Sequence, residues 1–515
     1  MDILEPQEPR RAQLVATLTR LPTRGELARL PDGVSWLEVR ADLLGEPEPD
    51  DDVLGALSEW AAGCGGGLIY TLRSAAEGGA GPSDPARRAE RLKRAAARPE
   101  LFARVDLEAE RDLVPDLLAA LPPERRILSW HGPATPLPGL ETRFHRMSAT
   151  PAGLYKLVTA ARQSGEELAP LHLLGGLGRR DVVAFATGAT GAWTRLAAPR
   201  LGAPVVYGAL PEADPGAPGQ LSVDRLVADY GLPDLPPATA LYGIVGRPVA
   251  HSLSPRLHNR AYRELGIPAL YVPFHAEHFG DFWLEVVEGG RLAELGLPLR
   301  GLSVTAPYKS VALALAGAPS PRATVVGAAN TLVETDGVWE AETTDPEGVV
   351  LPLERLGVAL VGAAAAVVGA GGAGRAAVAG LLEAGARVTL VNRSEERGLE
   401  AAEHLDVDFV RLDAFEPGRY AVVVHATSLG HSPDDPLPFE VAAMVPDAVL
   451  VDLVYGGGET ALVRAARAAG RRVVPGREAL LYQALGQFRL MTGRELPEAL
   501  AREALGGNTE ARPKL

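Results

Sequence analysis

The chain of 515 residues is long enough for about two to four domains. Its 51 lysines and arginines against 65 aspartates and glutamates leave a net charge of −14, which argues against a protein that binds nucleic acid through a basic face. Cys64 is the sole cysteine, so an internal disulfide and a cysteine-rich zinc site are excluded. We expect no metal centre.

The first residues combine acidic side chains with prolines, whereas a signal peptide needs a basic start and an apolar run. The longest apolar stretch, residues 358–374, is rich in alanine and glycine, which favours a buried strand entering a helix over a membrane span. We therefore expect a cytoplasmic enzyme with small-molecule substrates, bound to neither nucleic acid nor membrane. Nothing in the sequence indicates its oligomeric state.

The first half of the chain alternates short apolar runs with segments of helical pattern, which include residues 84–97 and 153–164. Eight runs have the length and composition of strands: 13–19, 35–43, 67–73, 102–108, 126–130, 142–148, 171–174 and 205–209. Eight strands with intervening helices predict a closed (β/α)8 barrel, in which the functional side chains stand at the C-terminal ends of the strands.

A proline-rich run at residues 231–237 ends this barrel, and we place the first domain at residues 1–234. Residues 240–343 have the pattern of a separate α/β unit, which helices within 478–505 complete. Residues 344–477 are predicted to form a Rossmann-type dinucleotide-binding domain, because an apolar strand at 364–369 runs into a glycine-rich helix start.

The glycine-rich start contains the residues expected to bind a dinucleotide. They fit the pattern G-x-G-x-x-G and are Gly369, Gly371, Gly372, Ala373 and Gly374. Glycine permits the tight turn and lets a pyrophosphate approach the N-terminus of the helix. Because a strand precedes this motif and a helix follows it, the motif stands in its required context.

The end of the next strand favours NADP over NAD as the cofactor. An NAD enzyme would place an acidic residue there to bind the ribose hydroxyls. This chain instead has Asn392, Arg393 and Ser394, with Arg397 one turn later, and these side chains could hold a ribose 2′-phosphate. Glu395 and Glu396 leave open the alternative that this is only a solvated start of a helix.

Lysine is rare in the chain, which has only four: Lys93, Lys156, Lys309 and Lys514. Arginine occupies the other basic positions. Since arginine does not lose its proton at ordinary pH, a lysine kept in such a chain is a candidate for chemistry that arginine cannot perform.

A long motif in the second half resembles the shikimate dehydrogenase signature. Residues 246–255 read GRPVAHSLSP and are followed by His258 and Asn259, in the pattern G-x-P-x-x-H-S-x-S-P-x-x-H-N. Further matches follow in order at residues 304–309, 327–331, 344–348, 392–394, 426–430 and 452–455, so that the resemblance covers essentially all of residues 240–500. It implies reduction of 3-dehydroshikimate to shikimate with NADPH.

The resemblance also implies roles for individual side chains. Ser252 and Ser254 would bind the substrate carboxylate, and Lys309 with Asp345 would form the catalytic pair at the reacting hydroxyl. The remaining residues implied to line the substrate pocket are Ser303, Thr305, Asn330, Tyr455 and Gln483. Lys309 is the only lysine between residues 157 and 513, which fits a position where a proton must be exchanged.

Three departures from the family pattern keep alternatives open. Ser303 replaces an asparagine, Thr343 stands in place of another asparagine, and His425 precedes Ala426-Thr427 where the family has asparagine. Because Ser303 and Thr343 belong to the substrate pocket in the family, quinate remains an alternative substrate. A non-catalytic dinucleotide-binding scaffold is the second alternative.

The first half resembles type I 3-dehydroquinate dehydratase. The matching segments are residues 38–43, 70–73, 77–79, 129–131, 194–195 and 217–223. Members of that family dehydrate 3-dehydroquinate through an imine on a lysine, with a histidine as general base and acid. The resemblance assigns the histidine role to His131, the binding of the carboxylate and ring to Arg40, Arg73, Arg195 and Gln220, and the organisation of these groups to Glu38 and Glu77.

The lysine of this mechanism is expected on the sixth strand, and the segment 142–148 has Arg146 at that place. Arginine is not a nucleophile for a carbonyl group. Lys156 lies in a segment of helical pattern and is predicted to point away from the barrel interior. Dehydration is therefore expected to be weak or absent, and the alternative is a bifunctional enzyme with a displaced nucleophile at Lys156 or Lys93.

Overall fold

The computed structural model describes residues 10–45, 49–432, 434–456 and 458–506. The strands in these ranges are β1 (Arg10–Arg11), β2 (Gln13–Leu18), β3 (Val34–Arg40), β4 (Leu68–Thr71), β5 (Phe102–Glu108), β6 (Arg126–Pro133), β7 (Leu154–Ala160), β8 (Val182–Thr187), β9 (Val205–Ala209), β10 (Asp234–Leu235), β11 (Ala240–Gly246), β12 (Ala269–His275), β13 (Leu299–Val304), β14 (Ala318–Pro319), β15 (Thr331–Thr335), β16 (Val338–Glu342), β17 (Ala364–Val368), β18 (Arg387–Asn392), β19 (Asp408–Arg411), β20 (Val422–His425), β21 (Val449–Asp452) and β22 (Arg472–Val474).

The α-helices in the same ranges are α1 (Arg24–Ala28), α2 (Asp51–Gly63), α3 (Pro85–Ala96), α4 (Pro115–Ala120), α5 (Leu137–Ser148), α6 (Leu168–Leu177), α7 (Gly188–Gly191), α8 (Thr194–Ala197), α9 (Val223–Tyr230), α10 (Ser254–Leu265), α11 (Phe279–Phe282), α12 (Arg291–Glu294), α13 (Lys309–Leu315), α14 (Pro321–Val326), α15 (Asp345–Arg355), α16 (Gly372–Glu383), α17 (Glu395–Leu405), α18 (Ala461–Ala468), α19 (Gly476–Thr492) and α20 (Glu498–Ala504).

The eight strands β2–β9 form the near-closed parallel barrel that the sequence predicts. Their order is β9-β2-β3-β4-β5-β6-β7-β8, so from β2 to β8 each strand lies beside the next in sequence, and β9 pairs with β2. The register pairs Thr17 with Glu38 and Ser129 with Lys156. Polar side chains from different strands are thereby brought to neighbouring levels inside the barrel.

Two of the eight predicted barrel strands are wrong. Residues 142–148 lie in α5 and residues 171–174 in α6, whereas β7 and β8 are strands that the pattern did not identify. In α5, the side chains of Leu140, Phe144 and Met147 are buried at helical spacing. Residues 154–159 of β7 are all buried, so this strand lacks the alternation that separates a strand from a helix.

The described residues form two compact units. One comprises those through Leu241 together with Tyr262–Leu299, and the other comprises Tyr242–Ala261 with those from Arg300 onward. The predicted domain boundaries at residues 234, 240, 343 and 477 stay predictions. Within the described ranges, none of the helices is both long enough and apolar enough to cross a membrane.

The second unit contains two sheets. The strands of one sheet that belong to this unit run in the order β11-β13-β15-β16-β14, and β15 is antiparallel to both β13 and β16. The other sheet is parallel, with the order β19-β18-β17-β20-β21-β22. In sequence order this is 3-2-1-4-5-6, the Rossmann arrangement, and it confirms the predicted dinucleotide-binding fold class. Its crevice lies between β17 and β20, where the strand order reverses.

Helix starts in both units follow from local capping chemistry. Asp84 accepts a hydrogen bond from the backbone N–H of Ala86, and Pro85 opens α3, where its missing N–H costs nothing. Ser320 caps α14 in the same way, before Pro321. A capping residue followed by proline was therefore a readable signal for the start of a helix.

Candidate active sites

Lys156 lies inside the barrel, which corrects the prediction that it points away. Its side chain is buried, with Nζ 3.6 Å from Oε1 of Glu38 and 3.9 Å from Oδ2 of Asp106. The same nitrogen stands 4.0 Å from the centre of the Tyr207 ring. Because β7 is a strand, Lys156 faces the barrel interior while its neighbour Tyr155 contacts Phe144 of α5.

Arg146 is on α5 and its side chain is exposed, so it does not occupy the lysine position on a barrel strand. Lys93 is also outside the barrel interior, because its ammonium group forms an exposed ion pair with Asp116. Among the described lysines of this unit, Lys156 alone reaches the interior. The prediction that Arg146 stands on a barrel strand is therefore wrong, because residues 142–148 lie in a helix.

The surroundings of Lys156 lower the pKa of its amine. Burial lowers the pKa of Lys156 below its ordinary value, while the carboxylates of Glu38 and Asp106 oppose this and the nearby arginines reinforce it. Burial would raise the pKa of Glu38, but the charges of Lys156 and Arg40 outweigh it, and the pKa is lowered. Thr17 and Thr71 each donate a hydroxyl hydrogen bond to Glu38, at 2.8 and 3.0 Å.

His131 stands at the end of β6 beside Glu77. Its Nδ1 lies 3.2 Å from Oε2 of Glu77, and its backbone N–H donates to the same oxygen at 3.0 Å. Burial lowers the pKa of His131 well below the ordinary value, and the charges of Arg73 and Lys156 add to this effect. Burial also raises the pKa of Glu77 to about 8, against the opposing charge of Arg73. The pair holds a neutral imidazole with a fixed ring orientation.

The three arginines assigned to substrate binding differ in how many hydrogen bonds they already make within the protein. Arg40 makes two hydrogen bonds to Asp42, at 2.9 and 2.8 Å, and one to the carbonyl of Gly216. Arg73 contacts a buried polar cluster composed of Glu77, Asp106, Glu108 and Ser129.

Arg195 donates through Nη1 to the carbonyl of Tyr207, and its Nε has no hydrogen-bond partner among the described residues. Gln220 accepts from the N–H of Gly216 and donates to Thr17. Of the three arginines, Arg195 thus keeps the most hydrogen-bonding capacity for a ligand.

The sequence reading missed Asp106, Glu108 and Tyr207 as members of this polar interior. Asp106 and Glu108 lie two residues apart in β5, a strand whose bounds the sequence predicted correctly. Side chains two positions apart on a strand share one face. Charged residues at alternate positions of an otherwise apolar barrel strand therefore indicate that this face lines a polar interior. Tyr207 lies in β9 among apolar residues and carried no such signal.

In the second unit, Lys309 and Asp345 are brought together at the starts of α13 and α15. Nζ of Lys309 donates to Oδ2 of Asp345. The other carboxylate oxygen accepts from the side-chain amide of Asn330 at 2.8 Å, and that amide also donates to Oε1 of Gln483 at 3.0 Å. Four of the predicted site residues therefore form one connected polar group.

The hydroxyl of Ser303 is hydrogen-bonded within the protein rather than free in the substrate pocket. It is buried, and its Oγ donates to Oε1 of Gln487 at 2.9 Å. The amide of Gln487 in turn donates to the carbonyl of Asn330 at 2.9 Å. Gln487 lies one turn after Gln483 on α19, and the sequence reading missed it although this spacing puts both side chains on one helix face.

The remaining predicted substrate residues follow strands of both sheets, with Ser252 and Ser254 after β11, Thr305 after β13 and Tyr455 after β21. The backbone N–H of Ser254 donates to Oγ of Ser252 at 3.2 Å. Burial raises the pKa of Tyr455, while a hydrogen bond with Ser252 opposes the shift. Thr305 follows β13, and its N–H donates to the carbonyl of Val245.

The glycine turn after β17 has the backbone that a bound pyrophosphate requires. Gly369 has a φ of +120°, and a Cβ at Gly374 would lie 1.9 Å from the carbonyl oxygen of Gly369. At Gly371 a Cβ would meet no atom within 4 Å, so the N-terminus of α16 is open at this point. Gly372 and Ala373 form the first turn of that helix, whose N–H groups can bind an anion.

The exposed residues after β18 include two arginines and two glutamates. Arg393, Ser394 and Arg397 are exposed, and the amide of Asn392 donates to the carbonyl of Ser394 at 2.8 Å, which holds the turn. Arg411, which the sequence reading missed, pairs in register with Asn392 and forms ion pairs with Glu395 and Asp413. Three arginines therefore surround the turn at the end of β18.

His425 has an internal role in the parallel sheet. Its Nδ1 lies 2.9 Å from Oδ1 of Asp452, and its Nε2 lies 2.6 Å from Oγ1 of Thr427. Asp452 also accepts from the hydroxyl of Thr460 and from the N–H of Val454. These buried bonds connect the ends of β20 and β21 and hold the loop that borders Gly369.

Family models match both halves of the chain. The model of type I 3-dehydroquinase matches residues 17–234, that of the shikimate dehydrogenase substrate binding domain matches 244–332, and that of the shikimate 5′-dehydrogenase C-terminal domain matches 476–505. These matches follow the same order as the motifs and the two observed folds.

Known proteins of both kinds are similar to the chain. Shikimate dehydrogenase (NADP(+)) of Anaeromyxobacter sp. strain K is 41% identical over 291 residues, which are 53% of this chain and 98% of that protein. The chloroplastic bifunctional 3-dehydroquinate dehydratase/shikimate dehydrogenase of Arabidopsis thaliana is 27% identical over 490 residues, 91% of this chain and 79% of that protein.

A solved structure of shikimate 5-dehydrogenase from Thermus thermophilus, in complex with NADP(H) and shikimate, is 34% identical with a TM-score of 0.47, over 52% of this chain and 98% of that one. The chain belongs to the shikimate dehydrogenase family, and its first half is a type I 3-dehydroquinase domain fused to that family's domains.

Proposed function

We propose that the chain catalyses two reactions: dehydration of 3-dehydroquinate in the barrel and NADPH-dependent reduction of 3-dehydroshikimate in the second unit. The observation that carries the proposal is the position of Lys156, a buried amine between two carboxylates at the centre of the barrel site. This reverses the expectation of weak or absent dehydration, because that expectation rested on Arg146 at the lysine position.

In the barrel, the neutral Nζ of Lys156 attacks the ketone carbon, and loss of water with uptake of one proton gives a protonated imine, whose later hydrolysis returns that proton. His131 removes a proton from the carbon beside the imine carbon, since its lowered pKa keeps the imidazole in the neutral form that can accept a proton at ordinary pH. The ring hydroxyl then leaves with the proton that His131 carries. Addition of water to the imine releases 3-dehydroshikimate and restores the amine, so the net reaction loses one water.

Glu77 and Glu38 support these steps. Glu77 holds the ring of His131 through Nδ1, which leaves Nε2 for the proton transfer. Glu38 and Asp106 lie near the nitrogen that becomes positively charged and compensate its charge. Arg195, with its unused hydrogen-bonding capacity, binds the substrate carboxylate.

In the second unit, Lys309 and Asp345 exchange the proton of the reacting oxygen. Asn330 holds Asp345 through Oδ1, which leaves the other oxygen for Lys309. When bound, NADPH supplies the hydride. The open N-terminus of α16 fits the pyrophosphate, and Arg393 with Arg397 fits the ribose 2′-phosphate, so the residues present suit NADPH.

Product analysis of the purified full chain tests the proposal. Incubation with 3-dehydroquinate alone should yield 3-dehydroshikimate, and added NADPH should convert this product to shikimate. Absence of 3-dehydroshikimate without NADPH would overturn the dehydratase proposal. Failure to reduce supplied 3-dehydroshikimate would overturn the dehydrogenase proposal, and binding of NADPH without turnover would leave the scaffold alternative.

Substrate preference is tested by oxidation of shikimate and of quinate with NADP and with NAD. Because the hydroxyl of Ser303 is already bound to Gln487, the departure at Ser303 leaves no extra free hydroxyl for quinate. We therefore propose shikimate as the preferred substrate, and a higher kcat/KM for quinate would overturn this choice. The cytoplasmic location stays a prediction.

A further inference from the structure

The aromatic ring beneath Lys156 has no part in the steps derived above. Tyr207 lies on β9 and is buried, and Nζ of Lys156 stands 4.0 Å from the centre of its ring. This is well within the distance at which a cation is attracted by the face of an aromatic ring. The contact joins the reacting nitrogen to a side chain from the last of the barrel strands.

The hydroxyl of Tyr207 does not explain why a tyrosine ring is held there. Within the part of the chain that the structure describes, this hydroxyl is buried and has no hydrogen-bond partner. Burial keeps the phenol protonated by raising its pKa well above the ordinary value, and the charges of Glu38 and Asp106 add to this. The ring face, rather than the hydroxyl, is thus the part of Tyr207 that meets Lys156.

We propose that the face of Tyr207 stabilises positive charge on Nζ of Lys156, both in the ammonium form and in the protonated imine. This inference rests on the proposed role of Lys156. A protonated imine withdraws electrons from the neighbouring carbon far better than a neutral one, so retention of its charge makes removal of the adjacent proton easier. Tyr207 also accepts the hydrogen bond of Arg195 at its carbonyl, so one residue links the amine to the arginine proposed to bind the substrate carboxylate.

Other charged groups also act on Nζ and must stay constant in a test. The groups facing it are Glu38, Asp106, Arg73, Arg40 and His131. The two carboxylates favour the ammonium form, whereas burial and the arginines oppose it. A change at Tyr207 that leaves all of these in place isolates the contribution of the ring.

The test compares Tyr207→Phe, which keeps the ring, with Tyr207→Leu, which removes it. In the substrate-free chain, the rate at which cyanate modifies Lys156 is followed against pH by peptide mass spectrometry, because only the free amine reacts. Tyr207→Leu should move this profile toward lower pH by about one unit, and Tyr207→Phe should leave it in place. The matched control is Tyr155→Leu, which makes the same change on the outward face of β7 and should not move the profile.

The second measurement is the capture of the imine by borohydride at a pH above the lysine pKa, where imine formation takes up a proton. The concentration of 3-dehydroquinate that gives half-maximal capture should rise about 5- to 30-fold in Tyr207→Leu and stay unchanged in Tyr207→Phe. Absence of both changes in the leucine variant, or equal changes in both variants, would overturn the proposal.

A fluorinated series covers the case in which Tyr207→Leu fails to fold. Replacement of Tyr207 by phenylalanine carrying one, two or three fluorines weakens the negative face of the ring with little change in shape. The lysine profile should then move stepwise toward lower pH, and an unchanged profile across the series would contradict the proposal. If the unchanged chain forms no imine at Lys156 while the cyanate profiles still shift, the proposed dehydratase role fails and the ring contact stands.

Discussion

Nζ of Lys156 lies 3.6 Å from Oε1 of Glu38, with both side chains buried in the barrel interior. A buried amine beside a carboxylate is costly unless the charges are paired, because each loses its hydration. The barrel keeps this arrangement where a substrate ketone would have to meet a nucleophile. In the proposed mechanism, Lys156 rather than Arg146 is therefore the group on which dehydration would depend.

Replacement of Lys156 by arginine should abolish dehydration and spare reduction. Arginine keeps the positive charge that faces Glu38 but does not lose its proton, so kcat for 3-dehydroquinate should fall roughly a thousandfold or more. Reduction of 3-dehydroshikimate by the same preparation should be unchanged. Matched controls are Lys93→Arg and Arg146→Ala, and a loss of dehydration in either control would contradict the assignment.

The pH dependence of dehydration should reflect the lowered pKa of Lys156. The free amine is the reactive form, so kcat/KM rises with pH through that pKa, which burial places below the ordinary lysine value of 10.5. Initial rates measured from about pH 5 to 11 test this. A rate that still rises steeply above about pH 10 would show an unshifted lysine.

The loss of dehydration activity in the variant Glu77→Gln should grow as the pH rises. Burial raises the pKa of Glu77 to about 8, so the native carboxyl is protonated below that pH and resembles a glutamine amide. Dehydration by the variant should stay within about threefold of the native rate near about pH 6.5 and diverge as Glu77 ionises at higher pH. An equal loss at every pH would mean that Glu77 is ionised throughout.

For the barrel, the sequence predicted the architecture better than the site. Residues 102–108 and 205–209 match β5 and β9, whose apolar residues and flanking turns separate them from helices. Lys156 was misplaced because β7 is buried along its length and shows no alternation, so that its seven residues resemble a helix segment. Only the packing of β7 between β6 and β8 decides which way Lys156 points.

In the second unit, long sequence motifs predicted more of the candidate site than the sequence did in the barrel. Lys309, Asp345, Asn330 and Gln483 come from three separate motifs and one helix, and the structure brings them into one group. The hydrogen bond between Ser303 and Gln487 could not be predicted from motifs. It joins residues 184 positions apart and depends on how α19 packs against β13. No local pattern contains that contact.

Lys309→Arg should lower kcat for shikimate oxidation by about 100- to 10,000-fold, because arginine cannot take the proton of the hydroxyl. Asp345→Asn should lower it as well, since Lys309 loses its carboxylate partner. Binding of NADPH, followed by its fluorescence, should be nearly unchanged in both variants. Turnover close to the native rate in Lys309→Arg would remove lysine from the mechanism.

The double variant Arg393→Ala/Arg397→Ala should weaken the binding of NADPH but not that of NADH. Loss of charge-assisted contacts to a 2′-phosphate should raise KM for NADPH about 10- to 100-fold and leave KM for NADH within about twofold. Arg387→Ala, at the start of the same strand, is the matched control because its guanidinium binds the carbonyl of Gly362. Equal effects on both cofactors would contradict a 2′-phosphate site.

The dehydratase proposal depends on an imine between Lys156 and 3-dehydroquinate, and borohydride can trap this imine. The full chain is incubated with 3-dehydroquinate, reduced with borohydride, digested and analysed by mass spectrometry. The proposed imine should leave a ligand-derived mass on the peptide that contains Lys156, and none after Lys156→Arg. An unmodified Lys156 alongside active dehydration, or the added mass on Lys93, would contradict it.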